Sequence, residues 1–394
     1  MQENHSPWLL PAGIDEMLPD DARRLETLRR RLLDLFDRWG YELVIPPLIE
    51  FLESLLVGAG SDLDIQTFKL TDQLSGRLMG VRADMTPQVA RLDAHRLQRS
   101  APNRLCYLGT VLHTRPDGFA GSRSPYQVGA ELYGHAGPES DAEVLCLMLA
   151  TLQATGVRNV YVDLGHVGIY RTLAADAGLD ARQEAQLFDL LQRKALPEMR
   201  EFLGELNVAT KPKEHLAALV NLNGDSSVLV DARKVLKGAD ASVLAAIDYI
   251  EKVAVLVSRR LPEVTLHYDL AELRGYHYQT GIVFAAFAPG QGQEIARGGR
   301  YDDIGKFFGR SRPATGFSTD LRSLIALVNE NGASRKGIFA PAVDDPALYV
   351  FVEELREKGE RVIFELPGQN GLPAELGCDR RLVRDGKYWR VELI

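Results

Sequence analysis

The chain has 394 residues, with 46 lysines and arginines against 54 aspartates and glutamates, a formal net charge of −8, and 45% hydrophobic and 25% charged residues. That composition excludes disorder, a collagen-like repeat and a disulfide-stapled miniprotein, and at about 150 residues per domain it accommodates roughly two to three domains. Cys106, Cys146 and Cys378 lie far apart without metal-ligand spacing, no apolar run reaches the roughly 18 to 20 residues that span a bilayer, and Met1–Pro7 is neither basic nor apolar enough for export. A reducing cytoplasm is therefore expected, with no structural zinc, disulfide or membrane span, and the acidic balance provides no global field for nucleic acid.

Asp20 to Trp39 places Leu25, Leu28, Leu32, Leu33, Leu35, Phe36 and Trp39 broadly on a helical face, and Gly40 is suited to end it. Tyr41 to Ile45 reads as a strand stopped by Pro46-Pro47. Thr67–Leu70 and Arg77–Arg82 read as strands joined by a turn at Ser75-Gly76, and Thr86–Leu97 as a helix with Thr86-Pro87 as cap and first turn. Strand-like runs follow at Leu105–Tyr107, Thr110–His113 and Tyr126–Tyr133, before an apolar helix at Asp141–Ala154. This order predicts an α+β fold on a largely antiparallel sheet. Residues 168–262 read as a helical insertion, after which strands resume at Val264–Leu270, Ile282–Phe287 and Glu294–Ala296 within a core spanning 1–325. A helix begins near Asp320, and a small unit at 332–394 holds a helix at Ala347–Lys358 and strands at Arg361–Leu366 and Tyr388–Leu393.

Phosphate-loop, zinc-protease and nucleophile-elbow signatures are absent; Gly290-Gln291-Gly292 reads as a turn and His267 as a satisfied sheet residue. The distinctive feature is polar residues inside strand-like sequence. Asp84 and Thr86 follow Arg82 where a strand passes to a helix, and Gln127 and Glu131, four apart in one strand, share a face. An inward carboxylate needs a partner. Arg274 and the run Gly298-Gly299-Arg300-Tyr301-Asp302-Asp303 can supply one, together with a flat aromatic wall; structural ion pairs are the alternative.

At these residues the chain resembles the histidyl-tRNA synthetases. Arg82-Ala83-Asp84-Met85-Thr86 is similar to their R-P-E-G-T element, and Tyr126 to Gly134 to their H-Q-x-G-x-E-x-[FY]-G strand. Leu273 to Tyr278 is similar to L-R-G-L-D-Y and Gly298 to Asp302 to G-G-R-Y-D, in the same order. The resemblance covers residues 10 to 325. It implies a class II synthetase-like antiparallel sheet flanked by helices, a dimer interface around Pro47, and a histidine-like pocket of Asp84, Thr86, Gln127, Glu131, Arg274, Tyr278 and Tyr301, with Gln279 where a second Tyr is usual. The ATP-binding motifs depart from the family. Leu112 and Thr114 stand at the Arg and Glu positions of the second motif, and Arg322 and Ser323 at the Glu and Arg positions of the third. Neither Leu112 nor Ser323 can offer a planar cationic fork to phosphate. At roughly 3 kcal/mol per missing donor, adenylation slows on the order of 10⁴-fold or more.

Only 63 residues follow Asn331, shorter than the synthetases' anticodon-binding domain. The combination looks like the regulatory-subunit family of ATP phosphoribosyltransferase, the HisZ family. That likeness implies a chain without catalytic residues, cofactor or tRNA. It would assemble as a homodimer within a hetero-octamer with the short-form catalytic subunit, which joins ATP to phosphoribosyl pyrophosphate in the first step of histidine biosynthesis. Free histidine would be its feedback ligand, in this pocket or at a subunit interface. A divergent histidyl-tRNA synthetase, a synthetase-like amino-acid ligase and a free-standing amino-acid sensor are the alternatives.

Overall fold

The computed structural model of the chain describes residues 8–57, 60–116, 122–272, 275–276, 278–328 and 336–394. The chain divides into a large unit of residues 1–17 and 25–328 and a small one of 18–24 and 329–394.

The chain opens with α1 (Pro19–Arg38), β1 (Glu42–Leu43), β2 (Ile49–Phe51), α2 (Leu52–Leu56), α3 (Gly60–Gln66), β3 (Phe68–Thr71) and β4 (Leu78–Val81). Next come α4 (Thr86–Leu92), a π-helical segment (Asp93–Leu97), β5 (Asn103–Thr110), β6 (Tyr126–Tyr133), α5 (Pro138–Ala154) and β7 (Tyr161–His166). The helical stretch comprises α6 (Val167–Asp176), α7 (Ala181–Gln192), α8 (Leu196–Glu205), α9 (Thr210–Leu219), the two-residue β8 (Asn223–Gly224), α10 (Ser227–Val235) and α11 (Ala241–Arg260). β9 (Thr265–Asp269), β10 (Ile282–Phe287), β11 (Ala296–Arg300), α12 (Ile304–Phe307), β12 (Ala314–Asp320) and α13 (Leu321–Leu327) complete the large unit.

Nine strands form one sheet in the order β1-β5-β6-β12-β11-β10-β7-β9-β8. The β1–β5 and β7–β9 pairs are parallel and the other pairs antiparallel, so the expected sheet is present. Because strand side chains alternate, the sheet has two inner faces. Val128, Ala130, Leu132, Phe317, Phe284, Val162 and Leu164 point into a large core shared with α5, α11 and the other helices of 167–260. The helical stretch is therefore packed into the sheet's own core. On the other face Leu105, Tyr107, Tyr133, Tyr301 and Ala314 meet Met85, Val89 and Ala90 of α4 and its approach. The functional side chains lie on this second face.

Local boundaries follow backbone chemistry. α1 ends as Gly40 enters the left-handed region at φ 78°, with Tyr41 N–H donating to Phe36 C=O and Gly40 N–H to Asp37 C=O, both at 2.9 Å; this Schellman closure leaves only Glu42–Leu43 of the expected Tyr41–Ile45 strand in the sheet. The β3–β4 turn is closed by Gly76 at φ 70°. Thr86 is not the cap of α4: Met85 holds that position without a side-chain cap bond, and the helix changes to π geometry at Asp93 instead of running on to Leu97. The run at Leu105–Tyr107 lies within β5 (Asn103–Thr110), whereas only Thr110 of the expected Thr110–His113 strand belongs to it and Val111–His113 is irregular chain. The strand expected at Glu294–Ala296 instead starts at Ala296 and carries the Gly298-Gly299-Arg300 run.

In the small unit β13 (Gly337–Ala340), α14 (Pro346–Glu357), β14 (Val362–Phe364), β15 (Cys378–Asp385) and β16 (Tyr388–Leu393) form a sheet in the order β14-β13-β15-β16. Leu348 and Val352 of α14 bury against Ile338, Ala340, Val362 and Leu382. Asp345 caps α14 by accepting from the Ala347 N–H at 2.9 Å. The expected helix and two strands are present; β13 and β15 were not read from the sequence.

Candidate functional site

Five sequence segments converge on the second face of the sheet to build the site, β5 with Tyr107 and the approach to β10 with Tyr278 among them. The turn from β4 into α4 brings Asp84 and Thr86, β6 brings Gln127 and Glu131, and the end of β11 brings Tyr301. Glu131 is 1% exposed. Its Oε1 accepts from the Tyr107 hydroxyl at 2.8 Å and from Thr86 Oγ1 at 3.2 Å, while its Oε2 accepts from the Tyr301 hydroxyl. Burial pushes the Glu131 carboxyl up to about 8, against the pull of the Tyr301 and Tyr107 hydrogen bonds. The negative charge of Asp84 adds to the rise. In the free chain at neutral pH the carboxyl therefore favours its neutral form.

Asp84 and Gln127 form the second polar group. Asp84 Oδ1 accepts from Gln127 Nε2 at 2.7 Å and from the Thr86 N–H at 3.0 Å. Gln127 Oε1 in turn accepts from the Met85 N–H at 2.9 Å, which locks the start of α4 onto β6. A ring wall completes the arrangement: Tyr278 stacks on Tyr301 with centroids 5.0 Å apart and planes 26° apart, and Tyr133 meets Tyr301 edge-on at 6.4 Å. Burial holds the four tyrosine hydroxyls of 107, 133, 278 and 301 well above their usual range, so all are neutral.

Glycines make the floor. Glu131 pairs across to Gly316, and Gly316 to Gly299. A Cβ on Gly316 would collide with Glu131 Oε2, and one on Gly129 with the Tyr107 hydroxyl. These positions must lack side chains for the acid and the tyrosine to lie across the sheet.

Of the residues expected in the pocket, Asp84, Thr86, Gln127, Glu131, Tyr278 and Tyr301 are gathered together; Arg274 lies outside the described residues. The G-G-R-Y-D run splits between faces. Tyr301 turns toward Glu131, whereas Arg300 crosses to the opposite side and pairs with Asp141 at 2.9 Å, both nearly fully buried. Tyr107 and Tyr133 also belong to the site. Tyr133 was discoverable, since it stands two residues from Glu131 on one strand and so shares its face; nothing in the sequence set Tyr107 apart from a core aromatic.

The departing motif positions are occupied by structural contacts. Leu112 lies in irregular chain with its N–H on Arg82 C=O at 3.0 Å, and Thr114 Oγ1 donates to Ile65 C=O at 2.6 Å. Ser323 Oγ donates to Asp320 Oδ2 at 2.5 Å at the N-cap of α13. Arg322 spends one guanidinium nitrogen on Ser124 Oγ and C=O, at 2.9 and 3.0 Å, and another on Asp15 C=O at 2.9 Å. A register slip that would lend Arg322 to phosphate is thus opposed by its own contacts. Elsewhere, an open surface cleft of about 480 Å³ lined by Arg38, Trp39, Gly40, Arg104, Glu143 and Arg260 contains none of the site residues. Arg104 there is already paired with Glu143 through two bonds at 2.7 and 2.9 Å.

Comparison with known proteins places this geometry among relatives. The family model of histidyl-tRNA synthetase matches residues 13–324, and that of the ATP phosphoribosyltransferase subunit HisZ C-terminal domain matches residues 335–392. An ATP phosphoribosyltransferase regulatory subunit of Thioalkalivibrio sulfidiphilus is 66% identical over 386 residues, covering 98% of each chain. One from Alkalilimnicola ehrlichii is 58% identical over 385 residues, covering 97% of this chain and 96% of its own. Among solved structures, an ATP phosphoribosyltransferase regulatory subunit/histidyl-tRNA synthetase from Bacillus halodurans superposes with a TM-score of 0.83 at 28% identity, over 95% of this chain and 97% of that one. The histidyl-tRNA synthetase of Nostoc sp. PCC 7120 superposes with a TM-score of 0.78 at 17% identity over 95% and 91%, a likeness of fold.

Proposed function

This chain belongs to the ATP phosphoribosyltransferase regulatory-subunit family, and we propose that it performs no chemistry itself but supports and regulates a separate catalytic subunit of that glycosyltransferase. The partner is the short-form subunit that joins ATP to phosphoribosyl pyrophosphate at the entry to histidine biosynthesis. Histidine is the feedback ligand, held in the pocket of Asp84, Thr86, Gln127, Glu131, Arg274, Tyr278 and Tyr301. The observation that carries the reading is the contrast between the two ends of the site. The amino-acid end is an assembled set of acids, hydroxyls and stacked rings, while positions 112 and 323 hold Leu and Ser and Arg322 is bound to Ser124 and Asp15.

The complex works by linkage: it has at least two states, and histidine shifts their populations in proportion to its different affinity for each. A homodimer within a hetero-octamer is supported by the apolar side chains exposed around Pro46-Pro47, with Leu43 45%, Ile45 81%, Leu48 46% and Ile49 41% exposed. A reducing cytoplasm fits three cysteines that are free and buried. Among the described residues no helix is long and apolar enough to cross a membrane.

The test is reconstitution with a short-form catalytic subunit. Activity should require this chain and fall on addition of histidine, and Glu131→Ala or Arg274→Ala should blunt that inhibition while assembly persists. Unchanged inhibition in both variants would remove the pocket from the mechanism, and failure to associate with or activate the catalytic subunit would remove the reading.

A further inference from the structure

Like charges repel, so guanidinium groups that converge on one concave surface are costly unless an anion sits among them. The cleft of about 480 Å³ that lies apart from the amino-acid pocket gathers three of them, Arg38, Arg104 and Arg260, around Trp39 and Gly40. They come from the last turn of α1, from β5 and from the last turn of α11. A basic residue in a last turn offsets its own helix dipole, which accounts for Arg38 or Arg260 singly but not for their meeting around a third cation. The lining holds one carboxylate, Glu143, whose two oxygens accept from Nε and Nη2 of Arg104 at 2.7 and 2.9 Å and whose Oε1 also accepts from the Tyr41 hydroxyl at 3.1 Å. Arg260 lies within electrostatic reach of the same carboxylate. The lining therefore keeps an excess of two positive charges on a chain whose net charge is −8, and the Nη1 edge of Arg104 is left for a further acceptor. Trp39 is partly packed against the core and stands as a fixed wall, while the backbone at Gly40, at φ 78°, leaves open space where a side chain would be.

We propose that this cleft binds a phosphorylated small molecule, its phosphate oxygens held by Arg38, Arg260 and the outer edge of Arg104, with Trp39 as the wall beside them. The planar guanidinium fork matches phosphate oxygens two at a time. A phosphate dianion or a diphosphate also supplies the two or more negative charges that the lining lacks, whereas a single carboxylate supplies one. The volume suits a ligand of nucleotide size as well as inorganic pyrophosphate. Those two share the phosphate chemistry and differ in whether a base and sugar lie against Trp39. The assignment is independent of the histidine pocket, with which the cleft has no residue in common.

Isothermal titration of the full chain alone, at fixed ionic strength, decides the matter, with inorganic pyrophosphate, adenosine monophosphate and the dicarboxylate malonate as ligands. Pyrophosphate or the nucleotide should bind and malonate should bind at least about 10-fold more weakly; whichever phosphorylated ligand is tighter identifies the source. Tryptophan emission should change on binding, and Trp39→Phe should abolish that change while the heat of binding persists. Arg38→Ala and Arg260→Ala should each weaken the phosphorylated ligand by about 10-fold, and the double variant by about 100-fold. Arg38→Lys, which keeps the charge and loses the fork, should weaken it by about 3-fold. Both arginines are exposed, so the ligand-free melting temperature of these variants should stay within about 2 °C of the parent. Should Arg260→Ala unfold, Arg260→Gln, which keeps most of the stem, carries the same expectation. Absence of binding by both phosphorylated ligands, malonate binding as tight as pyrophosphate, or an unchanged affinity in the Arg38 and Arg260 double variant would overturn the assignment.

Discussion

Glu131→Gln isolates the cost of keeping an ionisable group inside the tyrosine box. The amide is nearly isosteric and keeps an acceptor oxygen, so packing changes little and the difference from the unsubstituted chain reports ionisation. Glu131 rises from an ordinary 4.5 to about 8. A raised carboxyl means that the folded state holds a proton the unfolded state has already released. The stability this contributes is present in full below about pH 4.5 and is lost as pH climbs through about 8. Three and a half pKa units at 1.36 kcal/mol each set a ceiling on the order of 4–5 kcal/mol, reached with a slope of about 1.4 kcal/mol per pH unit. Urea titrations of both proteins from pH 5 to 9, following unfolding of the large unit, should therefore show Glu131→Gln gaining steadily on its parent between pH 5 and 8 and levelling off above. Groups that do not interact with Glu131 cancel in the difference. A pH-independent difference would refute the reasoning, since it would mean that Glu131 titrates alike in the folded and unfolded chain.

Other substitutions probe the rest of the framework. Gly316→Ala should cost about 3 kcal/mol in denaturant unfolding, because its Cβ collides with Glu131 Oε2 and the acid has packed neighbours on every side. Arg300→Met leaves Asp141 buried without its cation and should destabilise by about 3–5 kcal/mol, with part of the loss recovered on adding Asp141→Leu. Histidine-dependent ATP–pyrophosphate exchange should be undetectable at enzyme concentrations that give a clear signal with a histidyl-tRNA synthetase, given the roughly 10⁴-fold loss expected from Leu112 and Ser323.

The sheet and most of its helices were legible because period-2 and period-3.6 patterns survive wherever one face is buried, as in β6 and α1. Elements with weak patterns were missed: β13 is only four residues long, and β15 reads Cys-Asp-Arg-Arg-Leu-Val-Arg-Asp, mostly charged. The assignment of Thr86 as a cap failed for a physical reason. Its hydroxyl bonds Tyr107 and Glu131 instead of the helix N–H groups, and those tertiary partners override the local capping preference. Asp84, Gln127 and Glu131 stood out as polar residues in strand-like sequence, yet their relation to Tyr107 could not be read, because it depends on the β5–β6 register that sets Tyr107 opposite Gly129. Arg300 shows the limit of motif reading: it is the last residue of β11 and Tyr301 follows just beyond it, the two side chains turn opposite ways, and they serve two separate cores.

The contacts of Ser323, Arg322 and Thr114 also bear on how reversible the divergence is. Arginine at 323 would forfeit the Asp320 hydroxyl partner at the start of α13, and freeing Arg322 would release its hold on Ser124 and Asp15. Each loss is on the order of 1 kcal/mol, small alone but incurred before any nucleotide could be bound in return. Single substitutions toward the synthetase motif residues would thus begin as uphill steps with no intermediate reward.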